Sequence, residues 1–175
     1  MHFKKPQPTD VPAFYQGYIA SLPDGHVLNL MELGKKRMTD MLSSLEPKDL
    51  NTSYQAGKWT LAQVIRHVID AETVFLYRAL TMSRRDSTEL PSFDENSWAD
   101  STALNAQLLS PSALLRDYLL IRNLSINTFS RMTVDELFFR GRASSFETCA
   151  NDLAFIITGH EYHHLNVIGE RYIKF

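Results

Sequence analysis

Leu153-Ala154-Phe155-Ile156-Ile157-Thr158-Gly159-His160-Glu161-Tyr162-His163-His164-Leu165-Asn166-Val167-Ile168 is the stretch whose reading decides the fold. Leu153, Ile157, His160, His164 and Ile168 recur at spacings of three and four, the period of one helix face. Two histidines therefore stand where aliphatic residues would otherwise continue a core stripe. Residues four apart on a helix differ by about 40° in direction and about 6 Å in height. The imidazoles of His160 and His164 thus leave one face and can reach one ion at roughly 2.0–2.1 Å.

Working outward, the helix is expected to run to about Tyr172. Ser144-Ser145-Phe146-Glu147 before it has the pattern of a capping box, and Gly141 marks a break. Thr133-Val134-Asp135-Glu136 reads as a one-turn helix start. Ser110-Pro111 opens a long helix, with serine as cap and proline in the first turn. Its stripe of Leu114, Leu115, Tyr118, Ile121, Ile126 and Phe129 carries it to about Met132. Thr60-Leu61-Ala62-Gln63 is another capping box, opening a helix to about Met82 on which Val64, His67, Val68, Ala71, Phe75 and Arg78 share a face. An earlier helix spans about Val27 to Leu45, with Leu30, Leu33, Met38, Met41, Leu42 and Leu45 as its apolar set and Pro47 beyond its end. Asp10 caps a short helix that runs to about Ser21, and Pro23-Asp24-Gly25 is a turn. Residues 83–109 are mixed, with a short helix after the polar segment Pro91 to Trp98. Four long helices predict an all-α bundle, an architecture whose core can hold a metal site built from facing helices.

Composition bounds the function. The chain has 175 residues, one domain's length, with 44% hydrophobic and 22% charged residues. Its formal net charge of -2 lacks the basic surplus of a general nucleic-acid binder. No apolar run approaches the roughly 20 residues that cross a bilayer. The basic start, Met1 to Pro6, has no apolar stretch behind it and does not read as a signal peptide. One cysteine, Cys149, excludes an internal disulfide and fits a reducing cytoplasm; it reads as a small core residue.

A lone histidine on an apolar face is usually a hydrogen-bonded core residue, and a metal-free bundle with packed histidines is one reading of this chain. The pair on the last helix, with His67 on the stripe of another, supports a metal site. His163 lies about 60° beyond His160 and reads as a neighbour of the site, able to exchange roles with His164. His-Glu-Tyr-His-His also contains the spacing of the His-Glu-x-x-His metalloproteases. That match, which would recruit Glu161, is rejected because a small helical chain does not supply the protease scaffold.

Trp59-Thr60, His67, Phe93-Asp94-Glu95-Asn96-Ser97-Trp98 and His160-Glu161-Tyr162-His163-His164, in this order, resemble the DinB/YfiT-like superfamily over about Leu28 to Tyr172. The resemblance implies an up-down-down-up four-helix bundle, with residues 1–26 as an N-terminal extension packing on it and 1–175 forming one domain. It implies that His67, His160 and His164 bind one divalent metal ion; three imidazoles suit zinc or nickel, with iron or manganese as alternatives. It implies a metal-dependent hydrolase, or a transferase using a low-molecular-weight thiol such as bacillithiol, acting on a small molecule. A non-catalytic, stress-associated metal protein is the alternative. Dimers are common among members, which makes a homodimer an option here.

Three neutral imidazoles leave an ion with an open position, where water can be acidified towards a pKa of about 7 or a thiol held as thiolate. Four residues are candidates beside the ligands. Asp70, one turn from His67, could orient an imidazole. Arg78, on the same face, could bind an anionic group at the mouth of a pocket. Trp98, with Glu95 and Asn96, lies in a segment placed to cover that pocket. His163 is the fourth.

Overall fold

The computed structural model describes residues 2–103 and 109–173. In chain order it has α1 (Ala13–Ala20), α2 (Val27–Ser44), α3 (Leu61–Ser83), α4 (Glu95–Ala103), α5 (Pro111–Ser130), α6 (Val134–Phe138), a hairpin of β1 (Arg140–Ala143) and β2 (Phe146–Cys149), and α7 (Ala150–Arg171). The starts of α3 and α5 follow their capping residues. The Thr60 hydroxyl accepts from the Gln63 amide while Gln63 Oε1 accepts from the Thr60 amide. Ser110 Oγ accepts from the Ala113 amide, with Pro111 in the first turn.

The four long helices form the bundle, and side-chain pairs fix their directions. Arg66 meets Asp117 and Glu72 meets Arg122, so α3 and α5 run parallel. Tyr162 donates to the Leu30 carbonyl and Arg37 to Asn166, so α2 and α7 run parallel. Val64 and Ile65 share a core cluster with Leu165 and Ile168, whereas Phe75 and Ala79 cluster with Leu153 and Ile157; α3 and α7 are antiparallel. Met38 and Leu42 cluster with Leu114 and Tyr118, while Val27 and Met31 cluster with Phe129; α2 and α5 are antiparallel. The order is up, down, down, up.

From Ala150 to Tyr162, α7 is buried on every side. The bundle covers its inner face and α1 lies on its outer face. A Cβ at Gly159 would stand 2.6 Å from the Tyr18 carbonyl oxygen, so glycine is what lets the two backbones approach.

Local readings failed in several places. Ser144 and Ser145 do not cap a helix: their φ angles of 52° and 68° form the two-residue turn of the β1–β2 hairpin. The last helix starts at Ala150, with Cys149 as its cap residue. Gly141 lies within β1, where a Cβ would come 2.9 Å from Met82 Cγ. Leu90 adds an isolated bridge beside Ala143. The bundle thus carries a small strand pair at one end. Asp10 closes a 3-10 turn, accepting from the Gln7 amide, and α1 begins three residues later. Leu33 is exposed, off the buried face of α2. The short helix after Pro91 begins inside the polar segment, at Glu95, and residues 104–108 of the mixed stretch lie outside the described residues. Among the described residues no helix is long and apolar enough to cross a membrane.

Candidate metal centre

The antiparallel pairing of α3 and α7 sets His67 against one turn of the partner helix. His67 Nε2 lies 2.9 Å from His160 Nε2, and His160 Nε2 lies 3.1 Å from His164 Nε2. Among the described residues these three form the group whose ligand atoms all lie within 4.8 Å of one another. His67 and His160 are buried and His164 half-buried. Trp59 packs beside His67 at 5.0 Å between ring centroids, Phe75 beside His160 at 6.1 Å and Tyr18 beside His160 at 5.6 Å.

Burial holds the imidazoles neutral. It lowers His67 to a pKa of about 4 and His164 to about 3, where neighbouring imidazoles add to the effect. His160 is lowered as well, first by burial and then by His164 and His67. Neutral imidazole is the form that ligates a metal.

The donor set fits a divalent cation. An imidazole nitrogen has one in-plane site, either a lone pair or a proton. His160 Nε2 therefore cannot make good hydrogen bonds to both neighbours at once. Two ligands of one ion at about 2.1 Å stand roughly 3.0–3.4 Å apart at ordinary angles, close to the spacings here. One cation among the three nitrogens satisfies all of them.

The imidazoles line a cavity of about 240 Å³. Tyr15, Tyr18, Trp59, Phe75, Arg78, Phe93, Glu95 and Ser144 complete its wall. Burial raises the Tyr15 and Tyr18 phenols; Arg78 opposes it at Tyr15 and Glu95 adds to both, and the net upward direction keeps these hydroxyls protonated as donors. Arg78 reaches this wall from the same face of α3 as His67; its Nη2 donates to the Pro91 carbonyl at 2.7 Å and to Ser144 Oγ at 2.9 Å. The structure does not bring the other candidates to the imidazole nitrogens. Asp70 stands 4.0 Å from Arg66 on the side of α3 towards Asp117. Trp98 is 42% exposed and packs at a tilt against Phe93, which itself lines the cavity. His163 is turned to the Tyr18 ring, at 4.8 Å, and lines an adjoining cavity with Lys58, Trp59, His164 and Tyr172.

Sequence reasoning missed two features. Tyr15 and Tyr18 enter from α1, whose aromatic run carried no signal of a site. Behind the imidazoles lies a buried charge network. Arg122 is fully buried; its Nη2 and Nε donate to Glu72 at 2.7 and 2.9 Å, and its Nη1 donates to Glu161 at 2.6 Å. Arg122 Nη1 also reaches the Met31 carbonyl, and the Tyr118 hydroxyl donates to Glu161. Glu161 is thus a structural neighbour of His160, tied to α5. Arg122 stands four residues after Tyr118 on the buried stripe of α5, and that register was the available signal.

A family model described as the DinB superfamily matches residues 30–168. A "Putative metal-dependent hydrolase" of Geobacillus thermodenitrificans (strain NG80-2) is 31% identical over 81 residues, 46% of each chain. A protein of the same description from Geobacillus kaustophilus (strain HTA426) is 35% identical over 76 residues, 43% of each chain. The matched stretches span less than half the length of these curated relatives. The solved structure of YfiT from Bacillus subtilis, described as a probable metal-dependent hydrolase with an unusual four-helix bundle topology, superposes with a TM-score of 0.70. It covers 82% of both chains at 18% identity.

Proposed function

The chain belongs to the DinB superfamily, and from that premise we propose that it is a metal-dependent hydrolase of a small molecule. One divalent ion, zinc or nickel, is held by His67, His160 and His164. The observation that carries this reading is the convergence of three neutral Nε2 atoms on one cavity wall. The descriptions of the Geobacillus relatives support the same class. A closed structural zinc site normally has four protein ligands; three leave a position facing the cavity.

When bound, the ion would supply Lewis acidity for a carbonyl or phosphoryl oxygen. The remaining roles fall to the chain's own residues. Glu95 is the carboxylate of the wall; it accepts a proton from the attacking water and returns it to the leaving group as the ester or amide bond breaks. The Tyr15 and Tyr18 phenols, kept protonated, donate to an oxygen on which negative charge develops. Trp59, Phe75 and Phe93 supply apolar walls around the imidazoles. Residues 1–26 are read as an extension that completes the cavity, since Phe14, Tyr15 and Tyr18 come from it.

The test is a panel of small esters and amides beside a panel of electrophiles with a low-molecular-weight thiol, on metal-loaded protein. Turnover in the first panel is expected, with Glu95→Gln lowering kcat roughly a hundredfold or more at unchanged metal content. Turnover only in the second would make the protein a thiol transferase. Full metal with turnover in neither would leave a non-catalytic metal protein.

A further inference from the structure

Three arginines are buried in the described part of the chain, and two are neutralised by carboxylates. Arg122 lies between Glu72 and Glu161, and Arg66 lies 2.7 Å from Asp117. Arg78, 4% exposed, is the third, and among the described residues no carboxylate stands within 4.0 Å of it. Its neighbours are neutral: the Pro91 carbonyl, the Ser144 hydroxyl, the Tyr15 phenol, which stays protonated, and the rings of Phe75 and Phe93 at 5.8 and 6.0 Å. A guanidinium taken out of water without a counter-ion is costly, so the geometry leaves a place for an anion from outside.

The place is a junction. Arg78, Tyr15, Ser144 and Phe14 line both the imidazole cavity and a second cavity of about 360 Å³. The second cavity is walled mainly by carbon, from Ala143, Phe146, Leu153 and Ile156. Its size suits a small ligand. Phe75 touches both the Arg78 guanidinium and the His160 ring, so the junction is one aromatic ring away from the imidazoles. Arg78 is the one arginine or lysine lining either cavity, and Glu95 adds a negative charge to the first. The lone guanidinium on the second cavity matches a single negative charge, and Glu95 on the adjoining one disfavours a phosphate dianion.

We propose that Arg78 fixes the carboxylate of a monoanionic substrate whose apolar arm fills the second cavity, with the bond to be hydrolysed directed to the imidazoles. The last clause rests on the hydrolase reading; recognition of the carboxylate and of the apolar arm does not.

The experiment is calorimetric titration of chelated, metal-free protein, so that no carboxylate binds through a metal and failure of the metal reading cannot mimic failure here. The probes are acetate, hexanoate, octanoate, octan-1-ol and octyl phosphate. Octanoate should bind, with affinity rising roughly threefold or more per methylene from acetate upwards. Octan-1-ol and octyl phosphate should bind at least tenfold more weakly. Arg78→Gln, which keeps a donor for Pro91 and Ser144, should weaken octanoate at least tenfold and leave octan-1-ol unchanged. Equal binding of acetate and octanoate would overturn the apolar arm. Equal or tighter binding of octan-1-ol or octyl phosphate would overturn the carboxylate, as would undiminished octanoate binding in a folded Arg78→Gln. The chain-length series and the head-group comparison need only wild type, so the proposal stays testable if the variant fails to fold.

Discussion

His67 sits among Trp59, His160 and His164 on the buried face of α3, and its imidazole is charged only at the expense of desolvation. In the unfolded chain it takes a proton near pH 6.5, and in the folded chain only near pH 4. The folded pKa is the lower one, so the contribution to stability is complete above about 6.5. It is lost as pH falls towards 4, at about 1.4 kcal/mol per pH unit. The prediction is that metal-free wild type loses roughly 2–3 kcal/mol more than His67→Leu between pH 7 and pH 4, measured by urea unfolding. The comparison between variants removes the opposing effect of buried carboxylates such as Asp70, whose pKa burial raises. Parallel pH profiles for the two proteins would mean that His67 is not held neutral by burial. The histidine pair on α7 was legible because four-residue spacing is a local property. The reach of Arg78 to Ser144 and of Asp70 to Arg66 was not, since helical spacing gives a direction and not the partner that waits there.

The long helices were read from periodicity and capping because both signals act over a few residues. The β1–β2 hairpin escaped the same reading. Its turn uses two serines in left-handed conformations, where Asn-Gly is the usual signature, and the next residues imitate a capping box. What holds it is tertiary: the Leu90 amide donates to the Arg142 carbonyl and the Ser144 amide to the Leu90 carbonyl. The charge network was hidden for a related reason. Glu72 and Arg122 stand in register with the apolar faces of their own helices, but only the packing of α3, α5 and α7 makes them partners. That packing also depends on α2, where Gly34 lies directly against the Glu161 carboxylate and has no room for a Cβ. Gly34→Ala should therefore displace Glu161 from Arg122 and cost about 1–3 kcal/mol, more than helix propensity would return. In a chain of this length the melting midpoint should fall by about 2–4 °C per kcal/mol. An unchanged or higher midpoint would show that α2 can retreat from α7 without loss.

At the scale of the molecule, the up-down-down-up order makes α3 and α7 antiparallel neighbours, and this brings His67, ninety-three residues before His160, to its side. The network on Arg122 joins α3, α5 and α7 to the Met31 carbonyl of α2, so all four helices brace the turn that carries His160. The site is consequently preformed, and the central claim is that a preformed set of three imidazoles holds one divalent ion. Elemental analysis after exhaustive dialysis, on wild type and on His67→Ala, His160→Ala, His164→Ala and His163→Ala, tests it most directly. One equivalent of zinc or nickel in wild type and in His163→Ala, with most of it lost from each of the other three, is the predicted result. No metal retained by wild type or gained on titration, or metal kept by His67→Ala and lost from His163→Ala, would contradict the account.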